Sequence, residues 1–140
     1  MSDPGSRVML DSFGRKVEYL RISVTDKCNL RCVYCMPEEG LPWLKKEQLL
    51  TYEEVQKIVR IMAPMGLRCV RLTGGEPLVR KDLPRLVDLI ASVPGIQDLA
   101  ISTNGVLLRE LAGPLKEAGA TRVNISLDSF RKDRVDALAR

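Results

Sequence analysis

Three cysteines lie within eight residues of the sequence CNLRCVYC, at positions Cys28, Cys32 and Cys35. Thiolates bind zinc and iron–sulfur clusters, so this spacing indicates a metal centre. A structural zinc site has four protein ligands, whereas three ligands leave one coordination position open for a small molecule. Cys69 begins a predicted buried strand, where a free cysteine commonly packs as a small apolar side chain. The residues alone leave two alternatives: a [4Fe–4S] cluster on three cysteines, or a structural zinc site with Cys69 as its fourth ligand.

The amino-acid composition excludes several kinds of site and predicts a cellular compartment. The 140-residue chain has no histidine, which excludes histidine-containing zinc sites, Rieske-type centres and an imidazole general base. We expect a cytoplasmic protein with reduced thiols and no membrane partner, because no apolar run could span a bilayer and the start lacks a signal peptide. The net charge of +4 is spread along the chain without a polybasic block, so we expect no nucleic-acid partner.

The hydrophobic pattern predicts strands that alternate with amphipathic helices. Strands are predicted over residues 19–24, 69–75, 98–105 and 122–129. A capping box at Thr51 and Glu54 begins the first helix. Apolar residues at helical spacing mark three helices: Val55, Ile58, Val59 and Met62; Leu83, Leu86, Val87 and Ile90; Leu107, Leu108, Leu111 and Leu115. This order predicts an α/β chain of parallel βα repeats, truncated as a fourth helix begins.

Small and polar residues follow every predicted strand. The cysteines follow the first strand, TGGEP the second, STNG the third and SLDS the fourth. In parallel α/β proteins, ligands bind at the carboxyl ends of the strands, so we expect the functional site at this edge. Gly74 and Gly75 allow close approach of the backbone to a ligand, or simply a turn.

The three-cysteine motif, with Tyr34 before its last cysteine, resembles the signature of radical S-adenosylmethionine (SAM) enzymes. The stretches YLRISVTDKCNLRCVYCMPEEG, VRLTGGEPLVRKDL, STNG and NISLDS, in this order, most resemble the GTP 3′,8-cyclase family, also called molybdenum cofactor biosynthesis protein A. The resemblance covers residues 12–140. It implies the N-terminal part of an incomplete (βα)6 TIM-like radical SAM barrel, with residues 1–18 as an extension and residues 19–140 as the truncated core.

The resemblance also implies roles for individual residues. It implies a [4Fe–4S] cluster on the three cysteines of the motif and SAM contacts from Tyr34, Gly75 and Ser126. It implies GTP contacts from Arg21, Arg71 and Ser102. Guanidinium groups match phosphate oxygens in a bidentate manner, although a surface salt bridge is the alternative for each arginine.

The activity implied by the resemblance is radical cyclisation of GTP in molybdopterin biosynthesis, a lyase reaction that requires an electron donor and allows a homodimer. Members of that family carry a second cluster in a C-terminal region, so we expect this chain to hold the first cluster without cyclising GTP alone. An open edge at the fourth strand also predicts poor solubility. A structural zinc module and another radical SAM enzyme, such as a peptide-modifying one, are the alternatives.

Overall fold

The computed structural model describes residues 8–140 and contains one four-stranded parallel sheet. The strands are β1 (Tyr19–Ser23), β2 (Cys69–Thr73), β3 (Asp98–Thr103) and β4 (Arg122–Ile125), side by side in chain order. The helices are α1 (Tyr52–Met62), α2 (Leu83–Ala91), α3 (Leu108–Glu117) and α4 (Lys132–Ala139). The predicted α/β order is confirmed. Residues 1–7 of the predicted extension lie outside the described part of the chain.

The first helix begins where its capping residues predict. The backbone N–H of Glu54 donates to Oγ1 of Thr51 at 3.2 Å, and the backbone N–H of Thr51 donates to Oε2 of Glu54 at 2.7 Å. Val55 and Val59 are buried as predicted, but Ile58 is 38% exposed. The prediction for Ile58 is wrong because the buried face of α1 includes Tyr52, one turn before Val55, and not Ile58.

The core lies between one face of the sheet and the helices α1–α3. The predicted apolar face of α2 is buried throughout: Leu83, Leu86, Val87 and Ile90. It packs against alternate residues of the central strands: Val70, Leu72, Leu99 and Ile101. Burying each such side chain stabilises the fold by about 1.5–3 kcal/mol. In α3 only Leu115 is fully buried, and the other predicted leucines are half-buried at the margin of the core.

The opposite face of the sheet carries the residues that alternate with the core residues. Arg21 in β1 and Arg71 in β2 are paired on this face, which we call the arginine face. Cys69 also lies there, half-buried and in register with Tyr19 and Asp98. The prediction that Cys69 packs in the core is wrong, because the strand alternation turns its side chain away from the helices.

The last strand forms an exposed edge. All four residues of β4 are exposed, including Ile125 at 55%. The strand is shorter than predicted, since residues 126–129 leave the sheet as a loop. The open edge is as predicted, and poor solubility stays a prediction. Among residues 8–140, no helix combines the length and apolar character needed to cross a bilayer.

Candidate functional site

The cysteine loop, residues 25–36, is held at its start by the loop that follows β2. The backbone N–H of Gly75 donates to the carbonyl of Thr25 at 2.7 Å, and that of Glu76 donates to the carbonyl of Lys27 at 2.8 Å. A Cβ atom on Gly74 would overlap the carbonyl oxygen of Thr25, and one on Gly75 would overlap that of Lys27. The glycine pair therefore permits backbone-to-backbone packing of the two loops, a role that the sequence did not indicate.

The interior of the cysteine loop is ordered by its own contacts. The backbone N–H of Cys35 donates to the carbonyl of Cys32 at 2.9 Å, which closes a turn between two of the cysteines. Nη1 of Arg31 donates to the carbonyl of Cys28 at 2.8 Å, and its guanidinium lies 5.4 Å from the ring of Trp43. A cation over an indole ring is attracted to it, so Trp43 stabilises the Arg31 side chain in the position where it binds the Cys28 carbonyl.

The three thiols of the cysteine loop are not arranged around a single metal ion. Cys28 and Cys32 are half-buried, Cys35 is exposed, and all three are free. Within residues 8–140, no three cysteine or carboxylate side chains converge on a point that one metal ion could occupy. Zinc–sulfur bonds of about 2.3 Å would hold tetrahedral thiolates roughly 3.8 Å apart. In a [4Fe–4S] cluster each cysteine binds a different iron, so the thiolates need no common point.

Cys69 stands too far away to complete a zinc site. It is the first residue of β2, whereas the cysteine loop follows the far end of the neighbouring strand β1, at the level of Thr73. Four residues of extended strand separate the two levels by roughly 13 Å. The fourth thiol therefore lies at the opposite end of the sheet from the three cysteines of the loop.

A cleft of about 360 Å³ lies between the cysteine loop, the loop after β4 and helix α4. Its lining includes Cys32, Tyr34 and Ser126, three of the predicted site residues, together with Asn104 and Asp128. The volume falls within the usual range for small-molecule sites, roughly 300–1,000 Å³. The cleft therefore offers a ligand simultaneous access to the cysteine loop and to the end of β4.

Tyr34 joins the two walls of this cleft. Its hydroxyl donates to the carboxylate of Asp128, with both oxygens at 3.0 Å, although the Tyr34 side chain is 66% exposed. The hydrogen bond to Asp128 raises the pKa of Tyr34, and the neighbouring Cys32 side chain adds to the effect. The sequence singled out Tyr34 but not Asp128, whose only signal was its place in SLDS.

Asn104, at the end of β3, connects to the cysteine loop through side chains. Its Nδ2 donates to Oδ1 of Asn29 at 2.8 Å, and its Oδ1 accepts the backbone N–H of Val106 at 3.0 Å. Asn29 follows Cys28 directly, so this bond ties the third strand to the first cysteine. Sequence reasoning singled out Ser102 in STNG but missed both asparagines.

The arginine face provides a second group of predicted residues. Arg21 and Arg71 are direct partners in the β1–β2 ladder, and Arg71 is in register with Ala100 of β3. Ser102 follows Ala100 by two residues, so it lies on the same face, nearer the carboxyl end of β3. Among the described residues, Nε of Arg71 is buried without a hydrogen-bond partner. A buried donor without a partner is unfavourable, so this guanidinium is suited to an anionic ligand.

A third arginine on the arginine face, Arg122, forms an ion pair with a carboxylate. Arg122 on β4 is in register with Ala100, which in turn is in register with Arg71. Its Nη2 lies 2.6 Å from Oδ2 of Asp98. Hydrogen bonds from Arg122 and Thr121 lower the pKa of the Asp98 carboxyl, so the ion pair persists near neutral pH. The cationic character available to a ligand therefore comes mainly from Arg21 and Arg71.

The predicted site residues thus fall into three groups. The cleft contains Cys32, Tyr34 and Ser126, the arginine face contains Arg21, Arg71 and Ser102, and Gly75 supports the cysteine loop.

The sequence profile of the Radical SAM superfamily matches residues 22–140. The chain belongs to the radical SAM superfamily. Members of this superfamily use a [4Fe–4S] cluster and SAM, which agrees with three cysteines and an adjoining cleft.

Three relatives of this radical SAM chain carry the name GTP 3′,8-cyclase. It is 54% identical over 132 residues to a GTP 3′,8-cyclase from Pelotomaculum thermopropionicum, covering 94% of the chain and 41% of the relative. It is 52% identical to a GTP 3′,8-cyclase from Heliobacterium modesticaldum, covering 94% of the chain and 40% of the relative. The corresponding protein from Listeria welshimeri is 51% identical, with coverage of 96% and 40%. The radical SAM chain therefore spans about two fifths of the length of these curated relatives.

Solved structures support the fold of this radical SAM chain. The crystal structure of Streptococcus suis SuiB bound to precursor peptide SuiA matches with a TM-score of 0.66 and 20% identity, covering 87% of this chain and 27% of that one. BtrN in complex with AdoMet and 2-DOIA matches with a TM-score of 0.59 and 20% identity, covering 84% and 49%. The described residues therefore share the incomplete α/β barrel architecture of these proteins, as predicted.

Proposed function

We propose that this radical SAM chain is part of a GTP 3′,8-cyclase, with residues 1–18 as its lead-in and residues 19–140 as its radical SAM core. The names of relatives above 50% identity support this assignment. The observation that carries it is that a three-cysteine loop follows strand β1, whose Arg21 is paired with Arg71 of β2. One arrangement thus offers ligands for an iron–sulfur cluster and a cationic surface for a triphosphate.

Each predicted residue has a definite task in this proposal. The cysteine loop holds the cluster through Cys28, Cys32 and Cys35. The cleft residues Tyr34 and Ser126, with Gly75 behind the loop, hold SAM. When bound, the cluster and SAM together supply reductive radical chemistry, which removes a hydrogen atom from the substrate and needs an electron donor.

The arginine face binds and orients the nucleotide. Guanidinium groups of Arg21 and Arg71 donate to phosphate oxygens of GTP, and the hydroxyl on the shorter side chain of Ser102 adds a further contact. Fixing the triphosphate in this way directs the rest of the nucleotide toward the cleft. No residue of this set transfers a proton, which agrees with a chain that lacks histidine.

We also propose a cytoplasmic location, where reduced thiols remain available to bind iron. The electron donor, the homodimer and the absence of a nucleic-acid partner stay predictions from the sequence.

Anaerobic reconstitution with iron and sulfide tests the metal assignment. We expect about four irons per chain and no zinc. Cys32→Ala should abolish iron binding, whereas Cys69→Ala, a matched loss of one thiol, should leave the iron content unchanged. One zinc per chain that depends on Cys69 would instead support the structural zinc module.

A further inference from the structure

Glu76, directly after the glycine pair, has a buried side chain with no place in the proposed function. The residue is 1% exposed. Its Oε1 accepts Oγ1–H of Thr103 at 2.6 Å and the backbone N–H of Leu78 at 3.0 Å. Its Oε2 accepts the backbone N–H of Asn104 at 2.7 Å. The carboxylate therefore joins the loop after β2 to the end of β3.

The same residue is connected to both neighbours of Cys28. The backbone N–H of Glu76 donates to the carbonyl of Lys27 at 2.8 Å. Asn104, held by the Glu76 carboxylate, donates through Nδ2 to Oδ1 of Asn29 at 2.8 Å. Lys27 and Asn29 flank Cys28, so one closed circuit of hydrogen bonds fixes the first cysteine from two sides.

A carboxylate is the side chain that this position requires. Three donors point at its two oxygens, and hydrogen bonds to an ionised acceptor are stronger than neutral ones. A glutamine of the same shape has only one acceptor oxygen, so its amide N–H would face at least one of these donors. A buried donor left without a partner typically costs about 1–3 kcal/mol.

We propose that Glu76 is a positioning residue that sets the position of the cysteine loop relative to the glycine pair and the end of β3. The proposal rests on the function proposed above, since it is through this loop that Glu76 affects the binding of a cluster and SAM. Glu76 itself contacts neither ligand: its two carboxylate oxygens are engaged by Thr103, Leu78 and Asn104.

Amide hydrogen exchange of the 140-residue chain without cofactors is the first test. Two amides report on the loop, because Arg31 N–H donates to the carbonyl of Ala139 and Val33 N–H to that of Leu138. Glu76→Gln should accelerate exchange at these amides roughly tenfold, the equivalent of one lost buried hydrogen bond. Exchange at the core strand residues Val70 and Leu72 should change less.

Glu54→Gln is the matched control. The Glu54 carboxylate also accepts a backbone N–H and a threonine hydroxyl, but at the N-terminus of α1. This variant should leave exchange at the loop amides within about twofold of the wild type. Unchanged loop exchange in Glu76→Gln, or equal acceleration in loop and core, overturns the proposal.

Thr103→Val keeps the test decisive if Glu76→Gln does not fold. It removes one donor to the carboxylate and leaves the two backbone donors in place, so loop exchange should rise by less than tenfold. Loop amides that exchange as in the wild type would overturn the proposal in this variant as well.

A second readout uses reconstituted protein at equal iron content. Glu76→Gln should weaken SAM binding roughly tenfold in a calorimetric titration, and Glu54→Gln should not. Equal SAM affinity at equal iron content would contradict the positioning role. If the wild type binds no cluster, the proposed function fails, whereas the exchange experiment still decides the role of Glu76.

Discussion

Arg21 and Arg71 are direct partners on neighbouring parallel strands, and both side chains lie on the sheet face opposite the helices. Adjacent strands are about 4.8 Å apart, so the two arginines are direct neighbours on this face. Neighbouring like charges repel, and an anion bound between them would relieve the repulsion. Nε of Arg71 is also buried without a partner among the described residues. We propose that this pair binds an anion, at a position that the strand register sets.

Arg71→Ala should weaken binding of GTP to this chain by roughly tenfold to a hundredfold, the range for loss of a charge-assisted hydrogen bond. Calorimetric titration with GTP, repeated at higher salt, measures the change and its electrostatic part. Arg122→Ala is the matched control, because the Arg122 guanidinium is occupied by Asp98. Equal losses in the two variants would contradict a phosphate site centred on Arg21 and Arg71.

Ultraviolet titration of the phenol groups should detect the Tyr34–Asp128 hydrogen bond. This bond raises the pKa of Tyr34 above its ordinary value of 10.0, so Tyr34 should ionise later than a free tyrosine. Its stabilising contribution is complete below about pH 10 and is lost as the pH rises through the higher folded pKa. Asp128→Asn should shift this titration downward, and Tyr34→Phe should remove it.

Tyr52 provides an internal control in the same experiment. Burial raises the pKa of Tyr52, and its hydroxyl donates to the carbonyl of Lys81, distant in sequence from Asp128. The Tyr52 titration should be the same in Asp128→Asn and in the wild type. If the substitution shifts both phenols equally, a general loosening of the fold explains the result and the specific hydrogen bond does not.

Asp98 should make the chain sensitive to acid. Hydrogen bonds from Arg122 and Thr121 lower its pKa below the ordinary 3.8, so its contribution to stability is present above about that pH. The contribution is lost as the pH falls through the lower folded pKa. Urea unfolding near neutral pH and near pH 3 should therefore show a smaller acid-induced loss for Asp98→Asn than for the wild type. Identical acid dependence would mean that the ion pair does not stabilise the fold.

Gly75→Ala should displace the cysteine loop, because its Cβ would overlap the backbone of Asp26 and Lys27. We expect loss of iron binding after reconstitution and a lower free energy of unfolding. Gly113→Ala is the matched control, since no atom lies within 4 Å of its Cβ position in α3. That change lies far from the cysteine loop in the chain and should leave iron binding intact. Retained iron in Gly75→Ala would show that the loop tolerates the displacement.

Periodicity and turn residues were enough to predict the βα order from the sequence. The α2 face of Leu83, Leu86 and Ile90 is buried as its spacing predicts, because an amphipathic helix has one way to cover an apolar sheet. The three-cysteine spacing was equally informative, since its residues are neighbours in the chain and form one loop. Ile58 was misassigned because the buried face of α1 runs through Tyr52, Val55 and Val59. Ile58 lies at the edge of that face, where it is exposed.

The sequence by itself determined the local facts: the grouping of Cys28, Cys32 and Cys35 in one loop, and the alternation of each strand. Only the tertiary structure decided which face of each strand the helices cover, and so placed Cys69 beside Arg71 and not in the core. It also brought together Glu76 with Thr103, 27 residues apart, and Tyr34 with Asp128, 94 residues apart. Such pairs form when packing of the whole sheet fixes the strand ends, and no local pattern in the chain encodes them.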